Sequence, residues 1–362
     1  MAFDPIQEDC LRLILAATER EGVHPIENPA VVERLTQAFQ ADPSSLIATD
    51  ADRSFHLVAK ATELLDYRVP FIADEVEAEA QVVQAEAYLR EAIELDAGNW
   101  DAQRMLATTQ SASDDELVCY LLDNRDAVAR DAASVVEQAR TPHAVEFARD
   151  LGQRPYQRWN AALASRLLIA GQYRRSMKVA EETLAAYPLD LAGVRHTGML
   201  ALAKLEVEPV ELERYRSRHA VAYQHGGASS GRRARPSSHK PDAWTLIAQM
   251  SLAYRAFDFD AATAALNSIL RVYPRAAQPL YVQAEFPDGV FSRVNVAPGS
   301  EDELILALSE ATPLLQEGMG TPDSASFALW VAEHDLVRGA LSPEDLETAF
   351  QMFGGAAGGG AQ

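Results

Sequence analysis

Cysteine is nearly absent: Cys10 and Cys119 are the only two in 362 residues. Two thiols cannot build a disulfide framework or, unaided, a structural metal site. Cys10 falls on the apolar stripe Ile6, Cys10, Leu13, Ala17, where a thiol acts as a small core hydrophobe. Positive charge is short as well. Lys and Arg number 32 against 53 Asp and Glu, a net charge of −21, and that balance disfavours general binding to nucleic acid. No stretch approaches the 18 or so apolar residues of a membrane-spanning helix. The opening Met-Ala-Phe-Asp-Pro has no basic segment of the secretory kind. An acidic cytoplasmic protein is expected.

Catalytic signatures are missing too. There is no Gly-rich phosphate loop and no dinucleotide-binding glycine turn after a strand. The eight histidines, at 24, 56, 143, 196, 219, 225, 239 and 334, show no His-x-x-x-His or His-Glu-x-x-His spacing. Gly227-Ala-Ser-Ser-Gly231 fits the string of a nucleophile elbow, with His225 nearby. That device needs a strand ahead of the serine; the flanks here are rich in arginine and serine, so the match is a chance one. No catalytic, cofactor-binding or metal-binding residue is named.

What the chain does contain is a repeat. Gly171-Gln-Tyr-Arg-Arg-Ser-Met to Tyr187-Pro188 returns as Phe257-Asp-Phe-Asp-Ala-Ala-Thr to Tyr273-Pro274, with Tyr173 matching Phe259 at an offset of 86 residues. Tyr173, Met177, Ala180 and Leu184 are spaced as one face of a helix, and so are Phe259, Ala262, Leu266, Ile269 and Tyr273. The proline after each stripe stops the helix. Neither stripe is buried alone, so each needs a preceding partner helix: Trp159, Leu163 and Leu167 for the first, Trp244, Ile247 and Tyr254 for the second. A short helix pair whose second member ends in proline is the tetratricopeptide pattern, in which a small residue marks the point where the two helices touch. Ser176 and Ala262 hold that place. A third copy runs from Glu77 to Asn99, with Val82, Ala85, Leu89, Ala92 and Ile93 as its stripe.

Around these units the chain reads as helices with breaks. Ile6 to Glu21, a helix opened by Asn28-Pro29, and one opened by Ser54 precede an acidic stretch, Asp74 to Asp96, with eight carboxylates against Arg90 alone. Ser113-Asp-Asp-Glu116 and Ser300-Glu-Asp-Glu303 are capping boxes. Helices are expected at Leu117 to Leu122, Arg125 to Gln138 and Thr141 to Leu151. Arg214 to Pro241 contains seven basic residues and no acid, and its Gly, Ser and Pro content predicts a flexible linker. A short extended run is expected at Val290 to Val296. The resulting division is 1–72 N-terminal helices, 73–217 helical repeats, 218–241 basic linker, 242–353 C-terminal helical region and 354–362 disordered tail.

This layout resembles the suppressor-of-tumorigenicity-type tetratricopeptide proteins and their bacterial relatives. The resemblance rests on Ala262 to Tyr273-Pro274, on Pro279-Leu-Tyr281, and on Pro298-Gly-Ser-Glu-Asp-Glu303 after an irregular stretch. Ala92-Ile-Glu-Leu-Asp96 and Gly171-Gln-Tyr173 stand in the right order upstream. It spans residues 54 to 335 and implies a helical-repeat protein without enzymatic chemistry; it brings no functional residues with it.

The expected fold is therefore all-α, a tetratricopeptide-like solenoid of stacked antiparallel helix pairs. Such stacks offer a surface for a protein partner, so a binding or scaffold role is expected. Trp159, Tyr173 and Trp244 are candidate contact residues, with Trp330 as a further groove aromatic, and Arg232, Arg233 and Arg235 of the linker are candidates by charge. Two alternatives stand beside this reading: a nucleic-acid-associated regulator acting through the linker, and an enzyme whose site carries no recognised motif.

Overall fold

The computed structural model describes residues 4–72, 74–225, 241–283, 296–315 and 326–345. Among them every regular element is helical, with no strand. The chain forms α1 (Pro5–Arg20), α2 (Pro29–Ala41), α3 (Asp50–Tyr67), α4 (Glu75–Leu95), α5 (Trp100–Gln110), α6 (Asp114–Gln138), α7 (Pro142–Asp150), α8 (Arg154–Ile169), α9 (Tyr173–Ala186) and α10 (Val194–Lys204). There follow α11 (Pro209–Arg218), α12 (Ala220–His225), α13 (Ala243–Arg255), α14 (Phe259–Val272), α15 (Ala277–Val282), α16 (Glu301–Glu310), α17 (Thr312–Leu315), α18 (Ser326–Glu333) and α19 (Asp335–Ala340). Most of the basic linker with Arg232, Arg233 and Arg235, the extended run expected at Val290 to Val296 except its last residue, and the glycine-rich tail lie outside the described residues.

Side-chain caps start these helices where the sequence supplies oxygen acceptors. Asp4 accepts from Gln7 N–H at 2.8 Å ahead of α1, and Thr49 with Asp52 closes a full capping box ahead of α3, satisfying donors that a helix start leaves open. α3 thus begins four residues before the expected Ser54. Ser54 is instead a buried internal residue whose hydroxyl donates to Ala92 O at 2.7 Å. Asn28 precedes α2 but makes no side-chain cap; its amide turns back to His24 O. The two helices expected between Leu117 and Gln138 are one, α6. The Asp123-Asn124 step holds no proline or glycine, and Asn124 spends its amide on Tyr120 O one turn back, so nothing interrupts the backbone ladder.

Contacts divide the chain into two compact units. The first holds the residues up to Ala170 together with Ala185–Val194; the second holds Gly171–Leu184 and the described residues from Arg195 onward. In the first unit α3 packs along α4, and Leu57, Val58, Ala61, Leu64, Leu65, Ala85, Leu89, Ala92, Ala102 and Met105 form one core. The division expected at residue 72 therefore runs between two helices of one core. A second cluster joins α1 and α2 through Leu13, Ile14, Ala17, Leu35 and Phe39, with Cys10 half-buried against it.

In the second unit, Val194 itself aside, α10 is enclosed: Arg195 through Ala201 are all buried. At Gly198 an added Cβ would meet the Tyr215 hydroxyl of α11 at 2.1 Å, so only glycine lets these two helices approach. α13 and α14 fold back on each other across a three-residue turn, Ala256 to Asp258, and α16 packs on α13. The repeat is visible in the elements themselves. α8 and α13 end, and α9 and α14 begin and end, at positions matched by the same offset. α9 buries Ser176, Val179, Ala180 and Thr183, and α14 buries their counterparts Ala262, Ala265, Leu266 and Ile269.

Candidate functional site

The turn between α13 and α14 is built by hydrogen bonds that close the end of α13. Phe257 N–H donates to Tyr254 O at 3.0 Å, and Asp258 N–H to Ala253 O at 2.9 Å. This double closure requires a left-handed residue at its second position, a place that glycine takes at no steric cost. The first copy of the repeat has Gly171 there, at φ +73°. The second copy has Phe257, at φ +59°, a conformation unfavourable for a bulky residue. The ring it carries is 81% exposed. Asp258 then accepts from Ala261 N–H at 3.0 Å and starts α14 at Phe259, 46% exposed.

From Phe257 a chain of rings crosses onto α18. Phe257 and Phe259 lie 6.3 Å apart, Phe259 and Tyr254 5.7 Å, Tyr254 and Trp330 5.3 Å, and Tyr254 and Phe327 5.0 Å, centroid to centroid. These are ordinary aromatic pairing distances. Phe327, which also stacks on Trp330 at 6.3 Å, is buried, while Leu329 on the same helix is 62% exposed. His334 closes the row, 4.9 Å from Trp330. Its Nδ1 accepts from Leu336 N–H at 3.1 Å, so the ring proton belongs on Nε2, which faces Thr263 Oγ1 at 3.2 Å. This ties the α18–α19 joint to α14. The flanking sequence is acidic: Asp258, Asp260, Glu333 and Asp335 neighbour the rings. The two arginines nearby are committed, Arg255 to Glu206 at 3.0 Å and Arg338 to Glu333 at 3.3 Å.

The first unit has a different polar centre. Arg158 sits between two carboxylates: Nε and Nη2 donate to Asp101 at 2.8 and 2.5 Å, and Nη1 and Nη2 to Glu8 at 3.0 and 3.2 Å. Arg12 and Arg154 also donate to Glu8, and Arg12 reaches Leu151 O at 2.7 Å. Burial opposes ionisation of Glu8, but the charges of Arg158, Arg12 and Arg154 outweigh it and hold the carboxyl well below its ordinary range. Asp101 is lowered in the same way, with burial outweighed by Arg158 and Arg104. Burial disfavours the Arg158 charge, yet Asp101 and Glu8 more than restore it and its pKa is raised. Each acid is thus tied to arginine, and the cluster joins α1, α5 and α8 as a buried lock.

An open groove of about 400 Å³ lies elsewhere in that unit, between the end of α4 with the turn after it (Ile93, Ala97) and α5–α6 (Leu106, Glu116, Tyr120). Burial pushes the Tyr120 phenol up, and its hydroxyl donates to Gln103 Oε1 at 3.3 Å. Among the described residues no group of three His, Cys, Asp or Glu is placed to hold a metal ion, and no helix is long and apolar enough to cross a membrane.

The residues singled out in the sequence lie apart from one another. Trp159 is fully enclosed, its indole N–H donating to Leu121 O at 2.9 Å and its ring edge-on to Trp100. Trp244 is buried, stacked on His196 at 3.8 Å and donating to Glu310 at 2.6 Å. Tyr173 is half-buried beneath Lys204 Nζ at 5.0 Å. Trp330 is the groove aromatic that joins the ring patch. The patch as a whole was not read from the sequence, since Tyr254 and Trp330 are 76 positions apart. One signal was there: the repeat replaces a turn glycine, Gly171, with Phe257. No protein-family model, curated protein or solved structure matches this chain.

Proposed function

We propose that this chain is a protein-recognition module of the tetratricopeptide-like kind, a stack of helix pairs that binds rather than turns over, working in the cytoplasm. The resemblance to the suppressor-of-tumorigenicity-type proteins belongs to the same proposal. The observation that carries it is the ring patch at the turn of the α13–α14 pair. A left-handed phenylalanine, 81% exposed, costs folding free energy and gives no burial in return. Exposed apolar patches on otherwise acidic surfaces mark places where another molecule docks, and Trp and Tyr dominate binding energy in such places. The strain argues for selection on display of the ring.

The test uses the intact chain as bait in extracts of its source cell, beside Phe257→Gly and Phe259→Ala. The reading expects a stoichiometric protein partner held by the unchanged chain and lost by both variants. Equal retention by all three would remove the patch from the binding surface. No stoichiometric partner, together with turnover in a broad hydrolase and transferase screen, would replace the binding reading with an enzymatic one.

A further inference from the structure

The occupant of the patch has a chemistry that the patch itself specifies. We infer that it is a peptide segment of a partner protein carrying arginine or lysine beside an apolar side chain, the cation seated on the ring faces of Tyr254, Phe257, Phe259 and Trp330. This rests on the reading of the patch as a binding surface and adds the identity of what it takes.

Two observations carry it. First, this chain repeatedly covers its own ring faces with cations. Arg12 lies 4.1 Å over Phe55, Lys204 5.0 Å over Tyr173, and Arg216 5.4 Å over Tyr223. Among the described residues no cation sits over Tyr254, Phe257, Phe259 or Trp330, although these rings are connected and Phe257 and Phe259 are exposed. Aromatic faces are negative and attract ammonium and guanidinium groups. Second, the carboxylates interleaved with these rings are of one sign. Asp258 and Asp260 alternate with Phe257 and Phe259, Glu333 and Asp335 bracket His334, and Asp260 and Asp335 make no ion pair among the described residues. The nearby cations, Arg255 and Arg338, already face Glu206 and Glu333. A surface both apolar and anionic repels acidic segments, gains little from neutral ones, and is complementary to cationic ones.

The experiment places a fluorine label on the tryptophans and follows the four resonances by NMR, with Trp330 assigned from Trp330→Phe. The probe is the peptide acetyl-Leu-Arg-Leu-Arg-Leu-amide, with a citrulline counterpart that keeps shape and removes charge, and a glutamate counterpart that reverses it. The expected result is a saturable shift of Trp330 with the arginine peptide and none of Trp159. Affinity should fall about tenfold with citrulline, with Phe257→Gly, and with Asp260→Asn combined with Asp335→Asn. It should also fall as salt rises above about 0.15 M. Phe257→Gly should melt no lower than the unchanged chain, so lost binding cannot be ascribed to unfolding. Equal binding of arginine and citrulline peptides would overturn the cationic occupant and leave an apolar docking patch. No shift of Trp330 with any peptide, while Phe257→Gly still loses the captured protein, would overturn this inference alone. No shift and no loss of capture would overturn the patch reading as well.

Discussion

Phe257 stands in a conformation that an L side chain enters at a cost of about 1–2 kcal/mol, and that cost is measurable. Phe257→Gly removes the steric conflict and keeps the two turn hydrogen bonds. Some of the gain returns to the unfolded chain as glycine's extra freedom. The expected net effect is a stabilisation of about 1 kcal/mol, read as a higher urea midpoint with unchanged slope. A loss of stability would mean that the ring's contacts with Phe259 matter more than its backbone. The Glu8–Arg158–Asp101 lock makes the opposite kind of prediction. Its carboxylates titrate below their unfolded values, so the stability they contribute is present above the ordinary carboxylate range and is lost as pH falls through the folded values. Unfolding free energy should begin to drop below about pH 5. Asp101→Asn should cost about 3–5 kcal/mol, because Arg158 is left buried with half its partners, and should flatten that acid slope. An unchanged slope in Asp101→Asn would place the acid sensitivity elsewhere.

Helix pairs are the scale at which the sequence was most legible. The recurrence of Tyr173 and Tyr187-Pro188 as Phe259 and Tyr273-Pro274 placed α9 and α14 within a residue at each end, because a periodic stripe and a stopping proline are both local signals. Ala262 was marked as the small residue at a helix crossing and is fully buried. Ala262→Leu should therefore cost about 1–3 kcal/mol by overpacking, against little for a change at the exposed Asn267 of the same helix. Equal effects would show that Ala262 does not sit at the crossing. Gly198→Ala should do comparable damage, since the buried Tyr215 hydroxyl, which donates to Arg195 O at 3.2 Å, occupies the space. What local signals could not give was long-range pairing. Glu8, Asp101 and Arg158 lie 57 or more positions apart, and nothing in their own neighbourhoods says that they meet. The expected break inside α6 does not form, because Asp123 and Asn124 are compatible with a helix interior.

For the whole molecule, a net charge of −21 sets an acidic background, and among the described residues, all of whose regular elements are helical, Tyr254, Phe257, Phe259, Phe327 and Trp330 form one connected set of rings. The class of fold followed from helical periodicity and from the prolines that stop the repeated helices. The ring patch did not, because its rings come from two segments that only the fold brings together. If Phe257 is held in strain for display to a protein partner, its replacement by glycine must weaken partner binding. Partner retention by the unchanged chain and by Phe257→Gly, compared at equal concentrations of folded protein, tests this most directly. Retention by the variant should be weaker by at least about tenfold; equal retention would show that the strained ring is not displayed for a partner.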